Sequence, residues 1–222
     1  MNRPTYILDF DSTLVQCESL DELARISLST HANQHSIMHE LEQLTHQAMS
    51  GEINFDDALR ARLQLFAATK QDIQSLITYL RSHISPSALK AQTLFAENRI
   101  NMYIVSGGFE EYILPIAAQL NIPASHVYAN RFLFKDDRVT GFDTSRHTSQ
   151  PGGKATQVAT LRLFRPLIVI GDGFTDYEVK AAGVADKFWA FTETIERPHV
   201  SKKADRIVRS FSEVLIRSGA NV

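Results

Sequence analysis

Apolar positions fall into two rhythms along this chain. Three short apolar runs, Tyr6 to Phe10, Ile100 to Val105 and Leu167 to Ile170, are each cut off abruptly by polar or glycine residues: Asp11-Ser12-Thr13, Ser106-Gly107-Gly108 and Gly171-Asp172-Gly173. Runs of that length bounded by turn residues predict buried strands that enter loops. Helical spacing follows the second run over 109–120 and the third over 175–182. A repeated order of strand, polar loop and helix predicts an α/β fold with a parallel sheet. In open sheets of that kind ligands bind beyond the carboxyl ends of the strands, so three clusters distant in sequence converge on one crevice.

The stretch from Glu18 to Leu80 follows the other rhythm. Leu20, Leu23 and Ala24, then Leu41, Leu44 and Ala48, keep a helical spacing that no good strand candidate interrupts. Gly51 reads as a helix stop. Asn54 with Asp57, and Thr69 with Asp72, read as N-caps with an acid three residues on, close to a capping box. An all-helical insertion is therefore expected between the first and second core strands, and Ser85-Pro86 starts the helix that returns to the core. The predicted core covers residues 1–15 and 84–222, and the predicted cap covers 16–83. Arg131 to Phe134 and Arg138 to Phe142, around Lys135-Asp136-Asp137, predict a β-hairpin. The final part, 187–222, is expected to hold one or two edge strands and a last helix.

Composition narrows the class without naming the chemistry. The 222 residues are 44% hydrophobic and 22% charged, as in ordinary globular proteins. A net charge of -2 offers no basic balance of the kind nucleic-acid binders use. No apolar run approaches the roughly 20 residues of a membrane span. The single Cys17 excludes an internal disulfide and fits a reducing compartment. The expectation is a cytoplasmic protein with neither membrane nor nucleic-acid partners; the oligomeric state is left open.

Asp9 and Asp11 stand two apart on an extended segment, so their carboxylates leave the strand on one face. Anions that close require a cation between them or a shared proton. A hard cation such as Mg²⁺ suits oxygen ligands and bridges carboxylates to phosphate. One carboxylate can then serve as nucleophile, the other as general acid and base. An Asp-x-Asp alone is more often a solvated acidic turn. Asp172 and Asp176, in Gly171 to Asp176, supply further acids, although alone they also fit a turn and helix cap. Ser106-Gly107-Gly108 leaves a strand and opens a helix, offering a hydroxyl and free N–H groups to an anion. Lys154, after Gly152-Gly153, can neutralise a phosphate oxygen. The surroundings are not a Walker A loop, since Thr148 and Ala155 occupy its Gly and Ser/Thr positions. His31, His35 and His39 recur every four residues without a supporting acid or thiol framework, which fits a solvated helix face.

Taken in order, these residues resemble the haloacid dehalogenase-like phosphohydrolase superfamily, and within it the group is similar to the phosphoserine phosphatases. Asp-x-Asp-x-Thr is met by Asp9 to Thr13, the strand-end hydroxyl by Ser106, the basic residue by Lys154, and Gly-Asp-Gly-x-(Asn or Thr)-Asp by Gly171 to Asp176. The resemblance implies a Rossmann-like core with a small helical cap after the first strand. It implies Asp9 as nucleophile, Asp11 as general acid/base, and Mg²⁺ held by Asp9, Asp11 through its carbonyl, and Asp172, with Asp176 in support. Ser106, Gly107 and Lys154 would hold the phosphoryl group, near Thr175. In the cap, Phe55 and Arg62 match the segment that closes over an amino acid. By carry-over Glu18 would meet a substrate ammonium and Arg62 its carboxylate, a pairing suited to an arginine fork. Phe174, where small residues are usual, and the segment 188–200 depart from that pattern. The implied substrate is a small phosphorylated metabolite, foremost O-phosphoserine. A sister phosphatase or phosphotransferase, or a non-catalytic phospholigand module, are the alternatives.

Overall fold

The computed structural model describes residues 3–214. The chain opens with strand β1, Thr5–Leu8, followed by four helices: α1, Ser19–Ser27; α2, Gln34–Ser50; α3, Phe55–Gln64; and α4, Lys70–Ser82. Helices α5, Pro86–Lys90, and α6, Gln92–Asn98, lead into β2, Met102–Phe109. Then come α7, Glu110–Gln119; β3, Val127–Asn130; the pair β4, Phe132–Lys135, and β5, Arg138–Phe142; and α8, Gly153–Thr160. The described chain ends through β6, Leu167–Gly171; α9, Phe174–Ala181; β7, Lys187–Phe191; α10, Pro198–Ser201; β8, Arg206–Val208; and α11, Phe211–Val214. Residues 215–222, part of the predicted final segment, lie outside the described residues.

Six strands form one parallel sheet in the order β3-β2-β1-β6-β7-β8. The order reverses beside β1, which makes the gap between β1 and its neighbours the switch point at which ligands bind in such sheets. Side chains alternate between faces. Tyr6, Leu8, Ile104, Ile168 and Ile170 pack on one side with Phe95, Ile113, Ile116 and Phe211. Ile7, Val105, Val169 and Ala190 pack on the other with Val158, Val179 and Val200. This two-sided burial explains why the strands read as unbroken apolar runs.

Register fixes where the polar clusters emerge. Leu8 pairs with both Ile104 and Ile170, so Asp9, Ser106 and Asp172 leave the sheet within two residues of a common level. The Asp9 N–H still donates to the Ile170 carbonyl at 2.9 Å. After β1 the Phe10 carbonyl accepts from Leu14 N–H at 2.8 Å and Val15 N–H at 3.1 Å, a tight turn in which Ser12 takes φ 51°. The turn holds Asp11 beside Asp9.

Helices α1 to α4 occupy the interval between β1 and β2, and their two chain connections run side by side. Val15 and Ile84 form an antiparallel bridge, with Gln16 N–H donating to His83 O at 2.8 Å and Ser85 N–H to Leu14 O at 2.9 Å. The β4–β5 hairpin adds a second tie, through Lys70 N–H to Asp137 O and Val139 N–H to Ala68 O, both 2.9 Å. Leu23, Leu59, Leu76 and Leu80 join the apolar cluster of the sheet, while Ala24, Leu28, Met38 and Leu41 form a small cluster of their own.

Two local expectations differ from the structure. Strand β2 continues through Ser106-Gly107-Gly108 to Phe109, with a register shift against β3, instead of stopping at Val105. At its other end Ile100 is exposed in a short 3-10 turn. The capping box is complete at Thr69 and Asp72, whereas Asn54 starts α3 without a side-chain cap, its amide lying 3.5 Å from Asp57.

Candidate active site

Asp9 is buried, and both of its oxygens are held. Oδ1 accepts from the Phe10 N–H at 2.7 Å, and Oδ2 accepts from Lys154 Nζ at 2.8 Å. Lys154 reaches this point from the first turn of α8 and also donates to Asp176 Oδ1 at 2.8 Å. Asp176 turns back to its own helix start, where Oδ2 accepts from Gly173 N–H at 3.2 Å. Burial and the Asp9 charge push the Asp176 carboxyl well up, against the pull of Lys154. Two carboxylates around one buried ammonium form a rigid anionic wall rather than a solvated turn.

Asp11 faces the same space. Its Oδ1 accepts from the Ser19 N–H at 3.0 Å and from the Ser19 hydroxyl. Burial raises its carboxyl to about 7, opposed by the Ser19 bonds and reinforced by the Asp9 charge. A carboxyl poised near neutrality can give and take a proton, the requirement for a general acid and base. Ser106 is buried at the end of the apolar part of β2, its Oγ accepting from Gly108 N–H at 3.0 Å. At Gly107 an added Cβ would lie 2.1 Å from Phe55 Cζ, so the ring of Phe55 sits directly on that backbone. Asn130 Nδ2 donates to the Gly107 carbonyl at 2.8 Å, and Thr148 donates to Asn130 Oδ1 at 2.7 Å, which steadies the loop. Thr175 is part of the same wall, its buried hydroxyl without a partner.

One oxygen from each of Asp9, Asp172 and Asp176 lies within 4.8 Å of the others. Apart from the Arg62–Asp21 pair, five carboxyl groups (Asp9, Asp11, Glu18, Asp172, Asp176) share two cations, Lys154 and Arg197. The negative excess in a dry site, with oxygen-only donors, fits a hard divalent cation. The Asp11 carboxylate, by contrast, is turned to Ser19, in keeping with a metal role for its carbonyl alone.

Glu18 and Arg62 lie on the insertion but line the same cavity as Asp9 and Asp11. Arg62 Nη2 donates to Asp21 Oδ1 at 2.8 Å, and Thr45 holds the other oxygen of Asp21 at 2.9 Å. Glu18 Oε1 accepts from Ser12 at 2.9 Å and from Arg197 Nη2 at 3.3 Å. Burial and the charges of Asp11 and Asp172 raise Glu18 to about 8, with Arg197 opposing. Arg197 also donates through Nε to Asp172 Oδ2 at 2.8 Å. Sequence reasoning did not find Arg197, Ser19 or Asp21. The only signal for Arg197 was the Arg197-Pro198 helix start, inside the segment that departs from the resembled pattern. Of the three histidines, His31 precedes α2 while His35 and His39 lie on it; all are exposed and apart from the cavity.

Comparison with known proteins agrees with this geometry. Residues 6–179 match the haloacid dehalogenase-like hydrolase model. The phosphoserine phosphatase of Homo sapiens is 33% identical over 93% of this chain and 89% of its own length. That of Methanocaldococcus jannaschii is 28% identical over 94% of each. A phosphoserine phosphohydrolase-like protein from Francisella tularensis superposes with a TM-score of 0.86 at 30% identity, covering 96% of this chain and 98% of that one. A substrate-bound phosphoserine phosphatase superposes with a TM-score of 0.74 at 25% identity, covering 97% and 98%.

Proposed function

Because the chain belongs to the haloacid dehalogenase-like hydrolases and is a phosphatase, we propose that it is a Mg²⁺-dependent phosphomonoesterase that hydrolyses O-phosphoserine through a phosphoryl group carried on Asp9. The observation that supports the reading is one cavity lined by two kinds of group. Asp9, Asp11, Ser106 and Lys154 reach it from the sheet side, and Glu18 and Arg62 from the helical insertion. Residues 16–83 act as a cap over the core in this reading.

The Asp9 carboxylate attacks phosphorus, and the bond to the serine oxygen breaks. Asp11, its carboxyl raised to about 7, delivers its proton to that departing oxygen. Water then enters, Asp11 takes its proton, and the hydroxide attacks the phosphoryl group, restoring the Asp9 carboxylate and releasing phosphate. Lys154 and the loop at Ser106 hold the non-bridging oxygens, with Thr175 beside them. A Mg²⁺ ion at Asp9, Asp172 and the Asp11 carbonyl, supported by Asp176, would offset the charge of a dianionic substrate. Arg62 meets the substrate carboxylate. Glu18 meets the ammonium through Oε2, since both its protein contacts fall on Oε1. Substrate seated between the sheet and the insertion is shielded there from bulk water.

Phosphate release from O-phosphoserine, with and without Mg²⁺, tests the proposal. Asp9→Asn is expected to lose turnover by about 1,000-fold or more with the fold intact by circular dichroism. Arg62→Ala is expected to raise KM for phosphoserine far more than for an aryl phosphate. Activity retained by Asp9→Asn would remove the nucleophile, and equal losses for Arg62→Ala on both substrates would remove the amino-acid substrate.

A further inference from the structure

Tyr112 lies on α7, and nothing in the reaction above uses it. Its ring is fully buried among Phe10, Phe109 and Phe132, with centroids 6.2, 6.1 and 6.4 Å away. That packing asks only for an aromatic ring, and phenylalanine would supply it. Tyr112 instead lines the cavity that holds Asp11 and Arg62, and its hydroxyl lies where a side chain on Gly108, another wall residue, would stand. The Phe109 amide faces the phenol oxygen, yet the hydroxyl has no hydrogen-bond partner within bonding geometry. A buried hydroxyl left that way is costly, and buried polar groups without partners are rare in folded proteins.

A second orphan lies in the same cavity. Arg62 commits Nη2 to Asp21, and its Nε–H has no partner. Asp21 is in turn held by Thr45, so the guanidinium is fixed before any ligand arrives. Two unpaired donors, one phenolic and one cationic, ask for an acceptor-rich anion, and a carboxylate offers about four lone-pair sites. We propose that Tyr112 is a specificity-determining residue whose hydroxyl donates a hydrogen bond, beside Arg62, to the carboxylate of the bound substrate. The proposal rests on the reading of the substrate as a phosphorylated amino acid and adds a residue on the core side of the cavity to its recognition.

Tyr112→Phe keeps the ring and deletes the hydroxyl. Phosphoserine and phosphoethanolamine differ by the carboxylate alone, so the ratio of their kcat/KM values isolates its recognition. In Tyr112→Phe that ratio is expected to fall about 10-fold or more, chiefly through KM for phosphoserine. The melting temperature of the ligand-free protein is expected to change by less than about 3 °C, because the hydroxyl has no hydrogen-bond partner within bonding geometry. An unchanged ratio overturns the proposal while leaving the phosphoserine reading in place. No preference for phosphoserine in the unsubstituted enzyme overturns both. A drop of more than about 3 °C in Tm with equal losses on the two substrates assigns the hydroxyl to structure and overturns the proposal as well.

Discussion

Lys154 is the residue on which the acidic wall of the cavity turns. Its ammonium is buried between Asp9 and Asp176, and those neighbours raise its pKa against the cost of burial. Lys154→Met would leave the two carboxylates facing each other without a counter-ion. Breaking a buried ion pair from one side costs about 3–5 kcal/mol, and urea unfolding in EDTA is expected to show a loss of that order, with turnover falling as well. Unchanged stability would mean that the pair is solvated. Asp9, Asp172 and Lys154 were legible in the sequence because each stands at a strand end or helix start marked by glycine or an abrupt change of polarity. Arg197, Asp21 and Tyr112 were not. Arg197 meets Asp172 across 25 residues and Glu18 across 179, and an arginine before a proline reads only as the start of a helix. Tyr112 occupies an apolar position of α7 whose hydroxyl matters only once the cavity at its tip is known.

Elements were legible where pattern and packing agree. The parallel strands, the β4–β5 hairpin and the Thr69 capping box follow from apolar runs, turn residues and a cap with its acid at the third position. The end of β2 was not, because glycines that usually break a strand here let it pass under Phe55. Gly51 shows how a simple helix stop acquires a second task. It ends α2 at φ +81°, and a Cβ there would lie 2.8 Å from the ring of Phe174. Gly51→Ala is expected to destabilise by about 1–2 kcal/mol, part backbone strain and part collision with the ring. In the double variant with Phe174→Ala the collision disappears and only the strain remains, so thermal unfolding of the single and double variants separates the two. Equal costs of Gly51→Ala in both backgrounds would mean that Phe174 does not press on the turn. Phe174, Gly51 and Phe55 together line a pocket that shares Phe55, Gly107, Lys154 and Thr175 with the site, which puts the unusual aromatic at position 174 beside it.

At the scale of the molecule, the buried acids make stability depend on pH. Asp11 and Glu18 titrate near 7 and 8, against ordinary values of 3.8 and 4.5. A carboxyl raised in this way binds its proton more tightly in the folded than in the unfolded chain. The stabilisation is therefore complete below about pH 4 and is lost as pH rises through the folded values. Lys154, raised from 10.5, contributes no change in that window. Metal-free protein in EDTA is expected to melt at least about 3 °C lower at pH 8.5 than at pH 5.5, and Mg²⁺ is expected to narrow the gap by replacing the lost protons. A flat profile would show that the cluster is hydrated. Among the described residues no helix is long and apolar enough to cross a membrane. The helical insertion is joined to the sheet by two kinds of seam. Backbone hydrogen bonds stitch it at 14–16 with 83–85 and at 68–70 with 137–139. Elsewhere it meets the sheet side through side chains: the Phe55 ring on Gly107 and the Phe174 ring on Gly51, and the bonds that tie Ser19 to Asp11 and Glu18 to Ser12 and Arg197. The first seam keeps its pairing whatever the second does, as a hinge keeps its pin: the side-chain contacts can part without breaking a backbone-to-backbone hydrogen bond, so that baring the cavity need not unravel any element of the fold.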